Sequence, residues 1–552
     1  MKLQHPVKTA QGSVRPREWW FVALVTLCAV AWSLYPTIRG RQQTPPGQQF
    51  LYSNIPDTSD TQVYFAFIEQ NAEGHALYRN MFTSEAQRPA LFNPLWLVLG
   101  SIERLMHLTP AQVFILSRSI AAVGLIFVIY IAIALFIQSI AWRRTALLIA
   151  VFGGGVGGLL LLIHQDPRLV WIQTQTPILR SLPSDLTFPA GYTWLSIAHS
   201  PLFVVSQTLL LAALVNVWRG GRLCWAMLML GILALIHPYD PVLFFGVLVT
   251  EIVIGMLTGR LTVQDVRYRL RRIGLLGLSI LPAALYYSWA IWYEPVIRQW
   301  FQQNVLYSPP LTSLIGGFGV LSILALFGGR SVWKQTTYQP VLAWCIGTFV
   351  CMYMPIIPFQ AKLMMLVNVP VAIFSTIALQ RLHQHVRWGK GIWYGPIIAV
   401  TIVCTFSTAI VFPVRIARSL PVEPVYHYAS NDVLRTLSWI HEHTNSDAII
   451  LGDYFTGNLV PQYAKRATYL GHNMQTIHYQ QKLRIVREWF FGTNDDQENK
   501  VQFLREQNIS FIVVGPNERK RGPFNPDHMP NLKLVHQEND VSVYAVDAAS
   551  LK

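Results

Sequence analysis

The sequence predicts a polytopic α-helical membrane protein carrying a C-terminal α/β domain. The first observation is composition: of 552 residues, 52% are hydrophobic and only 13% charged, whereas soluble domains carry about a quarter charged residues. The second is the recurrence of long apolar runs from Trp19 to about Val414, since about 20 helical residues cross a hydrocarbon core of roughly 30 Å. The third is a change of character near Arg415, after which short strand-like runs alternate with amphipathic helical patterns.

The apolar runs predict eleven transmembrane helices, near 19–36, 111–137, 145–164, 198–218, 223–237, 240–258, 273–293, 311–329, 340–357, 361–380 and 392–414. Orientation follows from the basic residues, because Lys and Arg collect in cytoplasmic connections. They gather at the N-terminus (Lys2, Lys8, Arg15, Arg17), at Arg143/Arg144, at Arg219/Arg222, at Arg260 with Arg267–Arg272, at Arg330/Lys334 and at Arg381/Arg387/Lys390. Every second connection is basic, which sets the N-terminus inside and the C-terminus outside. The stretch 90–108 is apolar but short and ends on Glu103-Arg104, so it reads as an amphipathic helix in the outer interface. The expected organisation is a cytoplasmic N-terminus (1–18), a transmembrane domain (19–414) with a long first outer loop (38–110), and an extracytoplasmic α/β domain (415–552). No small-x-small cleavage site follows the first apolar run, so that run is expected to be retained.

The formal net charge of +15 could suggest nucleic acid, but the cations sit in short clusters between apolar segments rather than on one face. They read as topology anchors of a protein whose partner is the lipid bilayer. All five cysteines (Cys28, Cys224, Cys345, Cys351, Cys404) lie in apolar segments, so neither a disulfide framework nor a thiolate metal site is expected. Ala448–Leu451, Ile509–Val514 and Val541–Val546 read as strands, and 431–443 and 480–491 as helices.

A loop as long as the first needs a reason, since connections beyond about 15 residues without regular structure are usually functional. It carries Asp57 and Asp60 at the head of an amphipathic segment. Either can serve as a helix N-cap. Either can instead act as the general base that takes a proton from an acceptor hydroxyl while a glycosyl–phosphate bond breaks. That chemistry also needs positive charge near the leaving phosphate. Lys362, in Pro358–Met365 at the outer end of a helix, is the leading candidate and can equally snorkel to the interface; Arg118 is the second. His199, His237 and Asp240 cluster at outer helix ends, where they can shape a substrate pocket or, for Asp240, cap a helix. No zinc-type spacing occurs. The glycine run Gly153–Gly158 reads as close helix packing within an apolar helix.

The first-loop pattern (Asp57/Asp60, Val63-Tyr64, Gly74, Tyr78–Glu85, Phe92–Leu95 and Gly100) resembles bacterial members of the GT-C superfamily of integral membrane glycosyltransferases, relatives of the protein mannosyltransferases and the aminoarabinose transferase. The resemblance implies a catalytic carboxylate in the first outer loop and a polyprenyl-phosphate-linked sugar donor. By position, Asp60 resembles the catalytic carboxylate, with Asp57 behind it, and Lys362 resembles a basic residue that meets the donor phosphate. Tyr64 joins the pocket residues in the implied site. The acceptor class (glycan, lipid or protein) is not set. No cofactor is indicated, and the lack of an Asp-x-Asp pair in the first loop leans toward metal independence. The stretches Tyr469–Thr476 and Val514–Arg519 resemble outer domains of bacterial members. Two alternatives stay open: a non-catalytic assembly protein with this fold, and a transporter, which would place ionisable residues such as Glu251 near the bilayer midplane.

Overall fold

The computed structural model of the chain describes residues 13–53, 58–164, 182–385, 394–422, 424–493, 496–529 and 531–547; Asp57, Lys2, Lys8, Arg387 and Lys390 lie outside them. A helix or a bent helix pair occurs at each of the eleven predicted places. Among the described residues, six helices are long and apolar enough to cross a membrane: Pro16–Gln42, Pro110–Phe136, Pro201–Trp218, Asp240–Leu257, Gln360–Gln384 and Thr401–Ser419. Three bent pairs raise the number to nine if each pair is one span. The remaining two, Leu223–Ile236 and Gln339–Met352, have 14 residues each. At 1.5 Å per residue they reach about 21 Å, short of a full hydrocarbon core. The chain is a multi-pass helical membrane protein with a small C-terminal sheet.

The bends have local causes. The predicted helix 145–164 is two helices, Ile140–Phe152 and Gly157–Ile163, meeting at 53°. The break is the glycine run, where the backbone entropy of Gly disfavours helix. Val263–Leu278 and Leu281–Tyr293 meet at 50°, and Leu311–Phe318 and Val320–Val332 turn by 91° at Gly319.

The chain packs into two compact units, neither contiguous in sequence. The first comprises Met1–Ile38, Phe114–Tyr287 and Val305–Ser419, and holds most of the apolar helices. Near its N-terminus, Glu18 is buried, receives the Tyr130 hydroxyl and pairs with Arg143 at 3.2 Å. Arg143, one of the basic residues read as topology anchors, is a buried ion-pair partner.

The second unit comprises Arg39–Val113, Ser288–Asn304 and Leu420–Lys552. Its larger sheet has five strands: β3 (Ile449–Leu451), β4 (Ala467–Thr468), β5 (Phe511–Val514), β6 (Leu532–Glu538) and β7 (Val541–Val546), in the spatial order β4-β3-β5-β7-β6. β3 runs parallel to both β4 and β5, whereas β7 is antiparallel to β5 and β6. Side chains alternate between the faces, and both faces are covered. Ile450, Val513 and Val543 join Leu437 and Ile440 in one core. Leu451, Ile512 and Val514 join Phe490, Phe491 and Leu504 in the other. A two-strand ribbon, β1 (Gln48–Phe50) antiparallel to β2 (Tyr428–Ser430), ties the first loop to this part of the chain.

The first loop is itself helical. Helix Thr58–Ala72 packs on helix Pro94–Met106, whose 13 residues are too few to span. The Asn93 side chain caps the latter by accepting the Leu95 N–H at 3.0 Å. The two helices approach so closely that a Cβ at Gly100 would lie 2.7 Å from the Ile68 carbonyl oxygen and 2.6 Å from Asn71 Cβ.

Candidate functional site

In the second unit, Asp60 lies in the first turn of helix Thr58–Ala72, two residues inside its start, and is about one-third exposed. Its Oδ1 lies 3.0 Å from Nε2 of His472, a wholly buried side chain. Nδ1 of His472 accepts the Met474 N–H at 3.1 Å, and Nε2 is the ring nitrogen that faces Asp60. His472 was legible only as part of the Tyr469–Thr476 motif; nothing in its spacing from Asp60 signals the contact. Tyr64 stacks on Trp96 with ring centroids 5.0 Å apart, joining helices 58–72 and 94–106.

Acidic groups further along the same helix are arranged differently. Lys465 Nζ holds Glu69 at 2.8 Å and Glu73 at 2.7 Å. Burial, with the Glu69 carboxylate beside it, pushes the Glu103 carboxyl up to about 8.

In the first unit, five residues singled out from sequence fall into one chain of contacts. Arg118 is wholly buried and donates Nη1 to the carbonyl of Ala198. The next residue, His199, ends helix Thr193–His199 and stacks on Phe203 at 4.9 Å. Phe203 meets His237 edge-on at 6.0 Å. His237 Nδ1 donates to Asp240 Oδ1 at 2.8 Å, so Asp240, at the first turn of helix Asp240–Leu257, binds a histidine rather than capping backbone N–H groups. Tyr239, packed on His237 at 5.2 Å, carries the Lys362 ammonium 4.0 Å from its ring centroid, a cation–π contact. Lys362 itself lies in a 3₁₀ turn, Gln360–Met364, at the head of the apolar span Gln360–Gln384 and before helix Asn368–His385.

Arg118 stands apart electrostatically. Its Nε and Nη2 are buried without a hydrogen-bond partner, and no carboxylate pairs with it among the described residues. A buried cation with no counter-charge is costly.

Sequence reasoning missed Asp185 altogether. It is fully buried, and its Oδ2 accepts the Gly155 and Gly157 N–H groups at 2.8 and 3.3 Å, together with the Thr408 hydroxyl. These are the amides freed where the glycine run interrupts the helix, so the carboxylate replaces the missing helical acceptors. The close packing expected of the run is present as well: a Cβ at Gly155 or Gly158 would meet the backbone of Gly316 or Ser407 at 2.0 and 2.2 Å. Among the described residues, no group of three or more His, Cys, Asp or Glu is placed to hold a metal ion.

Solved structures share this architecture at 11–14% identity. ArnT from Cupriavidus metallidurans bound to undecaprenyl phosphate superposes with a TM-score of 0.55 at 12% identity, over 97% of this chain and 99% of that one. The oligosaccharyltransferase of Archaeoglobus fulgidus matches at 0.54 and 11% over 90% of this chain and 70% of that one. Arabinofuranosyltransferase AftD from Mycobacteria matches at 0.57 and 13% over 98% of this chain and 40% of that one. The chain has the GT-C fold. No protein-family model and no curated protein matches the sequence.

Proposed function

We propose that this protein is a cell-membrane glycosyltransferase that moves a sugar from a polyprenyl-phosphate-linked donor to an extracytoplasmic acceptor hydroxyl, inverting the anomeric centre. The observation that carries the reading is Arg118, a buried guanidinium with two unpaired N–H groups and no acidic partner among the described residues. A donor phosphate supplies the missing charge. The GT-C neighbours support a lipid-phosphate ligand: one was solved with undecaprenyl phosphate and another with dolichol phosphate.

In the transfer, the acceptor oxygen bonds to the anomeric carbon as the bond from that carbon to the phosphate oxygen breaks. Asp60 takes the acceptor proton, with the buried His472 ring beside the carboxylate. The polyprenyl phosphate leaves with its charge balanced by Arg118 and, in support, Lys362. His199, His237 and Asp240 shape the pocket through the aromatic stack that carries Lys362. The alternation of basic connections supports a cytoplasmic N-terminus, which puts the C-terminal domain on the extracytoplasmic side. The transporter alternative is weakened because Glu251, its clearest midplane charge, is neutralised by Arg269 at 2.6 Å.

The test titrates undecaprenyl phosphate into the full chain in nanodiscs. Wild type binds, Arg118→Leu and Lys362→Ala bind at least about tenfold more weakly, and Asp60→Asn binds as wild type but does not transfer. Binding that survives both cation changes would sink the phosphate assignment.

A further inference from the structure

We infer that the sheet of the second unit carries a binding site for an acidic saccharide, built from Arg487 and Arg521 over the carboxyl ends of β3 and β5. In parallel sheets, ligands collect outside the carboxyl ends of two adjacent strands whose following connections run to opposite sides. β3 and β5 are such a pair: they are parallel neighbours, the chain leaving β3 returns as β4 on one side, and the chain leaving β5 goes on to β6 and β7 on the other.

The residues at that crevice are arranged for an anion. Asp453, two positions past β3 and wholly buried, takes two guanidinium groups at once. Arg487 donates Nε and Nη2 to it at 2.7 and 3.2 Å, and Arg521 donates the same pair at 3.1 and 3.0 Å. One arginine would neutralise one carboxylate. Two guanidinium groups on one carboxylate leave donors to spare, and both arginines are about one-quarter exposed. Each spends its Nε edge on Asp453, so Nη1 of both has no hydrogen bond among the described residues. A carboxylate or phosphate oxygen pair suits such donors.

Glu518, past β5, closes the base of the crevice by accepting the Asp453 N–H at 2.7 Å and the Gly515 N–H at 2.9 Å. Its acceptor oxygens are thus turned to the backbone rather than to the arginines. Burial also holds its carboxyl above the ordinary value, which favours the uncharged form.

The surroundings are aromatic. The Arg487 guanidinium stands 5.7 Å from the ring centres of both Tyr454 and Phe455. Tyr426 packs on Phe455 at 5.0 Å and Tyr479 on Tyr454 at 6.0 Å, and Phe455, Tyr426 and Tyr479 are only half-buried. Half-exposed rings beside spare guanidinium donors offer an apolar platform for a sugar face and a charged clamp for its acidic group. The shared ligand chemistry is a saccharide bearing a carboxylate or a phosphate.

The inference stands on the second unit alone, so it survives or fails separately from the donor assignment. The experiment measures calorimetric binding to the full chain in nanodiscs of tetragalacturonate, glucose 1-phosphate and neutral maltotetraose. At least one acidic probe is expected to bind at least about tenfold more tightly than maltotetraose, and which one does separates carboxylate from phosphate. Arg487→Gln and Arg521→Gln each leave the other arginine on Asp453, so the fold is retained, and each weakens the acidic probe about tenfold while undecaprenyl phosphate binding is unchanged. Equal affinity for acidic and neutral probes, no binding of either acidic probe, or loss of melting temperature in the variants with unaltered saccharide affinity overturns the proposal.

Discussion

At the scale of single residues, charge and burial make opposing demands that can be separated by mutation. Arg118 is the sharpest case. A buried cation without a counter-charge destabilises the donor-free protein, and even buried ion pairs are often replaced by apolar residues at no cost or with a gain of about 1–4 kcal/mol. Arg118→Leu is therefore expected to melt at the same or a higher temperature than wild type without lipid, while losing the stabilisation that undecaprenyl phosphate confers; a lower melting point without lipid would show that the guanidinium already has an anionic partner. His472→Ala removes the ring that stands 3.0 Å from the Asp60 carboxylate and opens room for it to shift, and misplacement by about 1 Å can cost about 10²-fold in rate. Transfer should fall by about that factor with donor affinity retained, read from initial rates and binding on the same sample. Glu103 gives a pH signature. Its carboxyl stands at about 8 in the folded chain against an ordinary 4.5. A carboxyl raised on folding contributes stability that is fully present below about pH 4.5 and is lost as the pH rises through about 8. Glu103→Gln cannot ionise, so its melting temperature should decline less than that of wild type across that window.

Elements behave as their termini and crossing points dictate. The helix 94–106 was legible because its length, its Asn93-Pro94 start and its charged end all point to an amphipathic rather than a spanning helix. Its distance from helix 58–72 was not legible. Gly100 meets the backbone of residues 68 and 72 within about the space of a hydrogen, so Gly100→Val should cost about 1–3 kcal/mol through forced separation of the two helices, measured by thermal or denaturant unfolding. The glycine run shows the reverse weakness. Read as close packing inside a helix, it proved to break the helix as well, because the freed amides find Asp185 across 28 residues of sequence. Hydropathy averages over a bend and cannot see it. β3, β5 and β7 of the second unit were legible as apolar runs where both faces are buried, whereas the short β1, β2 and β4, of two or three residues each, were not. The edge strand β6 was not, because its burial is partial and its polar residues interrupt the pattern.

For the whole molecule, donor binding and folding are linked. A ligand that binds only the folded state stabilises it by about 2.7 kcal/mol at a hundredfold excess over its Kd. Undecaprenyl phosphate should accordingly raise the melting temperature of wild type, and less so for Lys362→Ala. Composition, apolar periodicity and the alternation of basic connections were enough to determine a multi-pass helical protein ending in a small α/β domain, because burial in lipid is dictated by side-chain chemistry summed over about 20 residues at a time. They also brought Asp60, Arg118, His199, His237, Asp240 and Lys362 to notice as ionisable groups in unusual places. Tertiary structure alone decided their partners: His472 for Asp60, the carbonyl of Ala198 for Arg118, and Tyr239 for Lys362. Those contacts join residues from about 80 to 410 positions apart, and a hydrogen bond or a ring contact depends on separations of a few ångströms that no local pattern encodes.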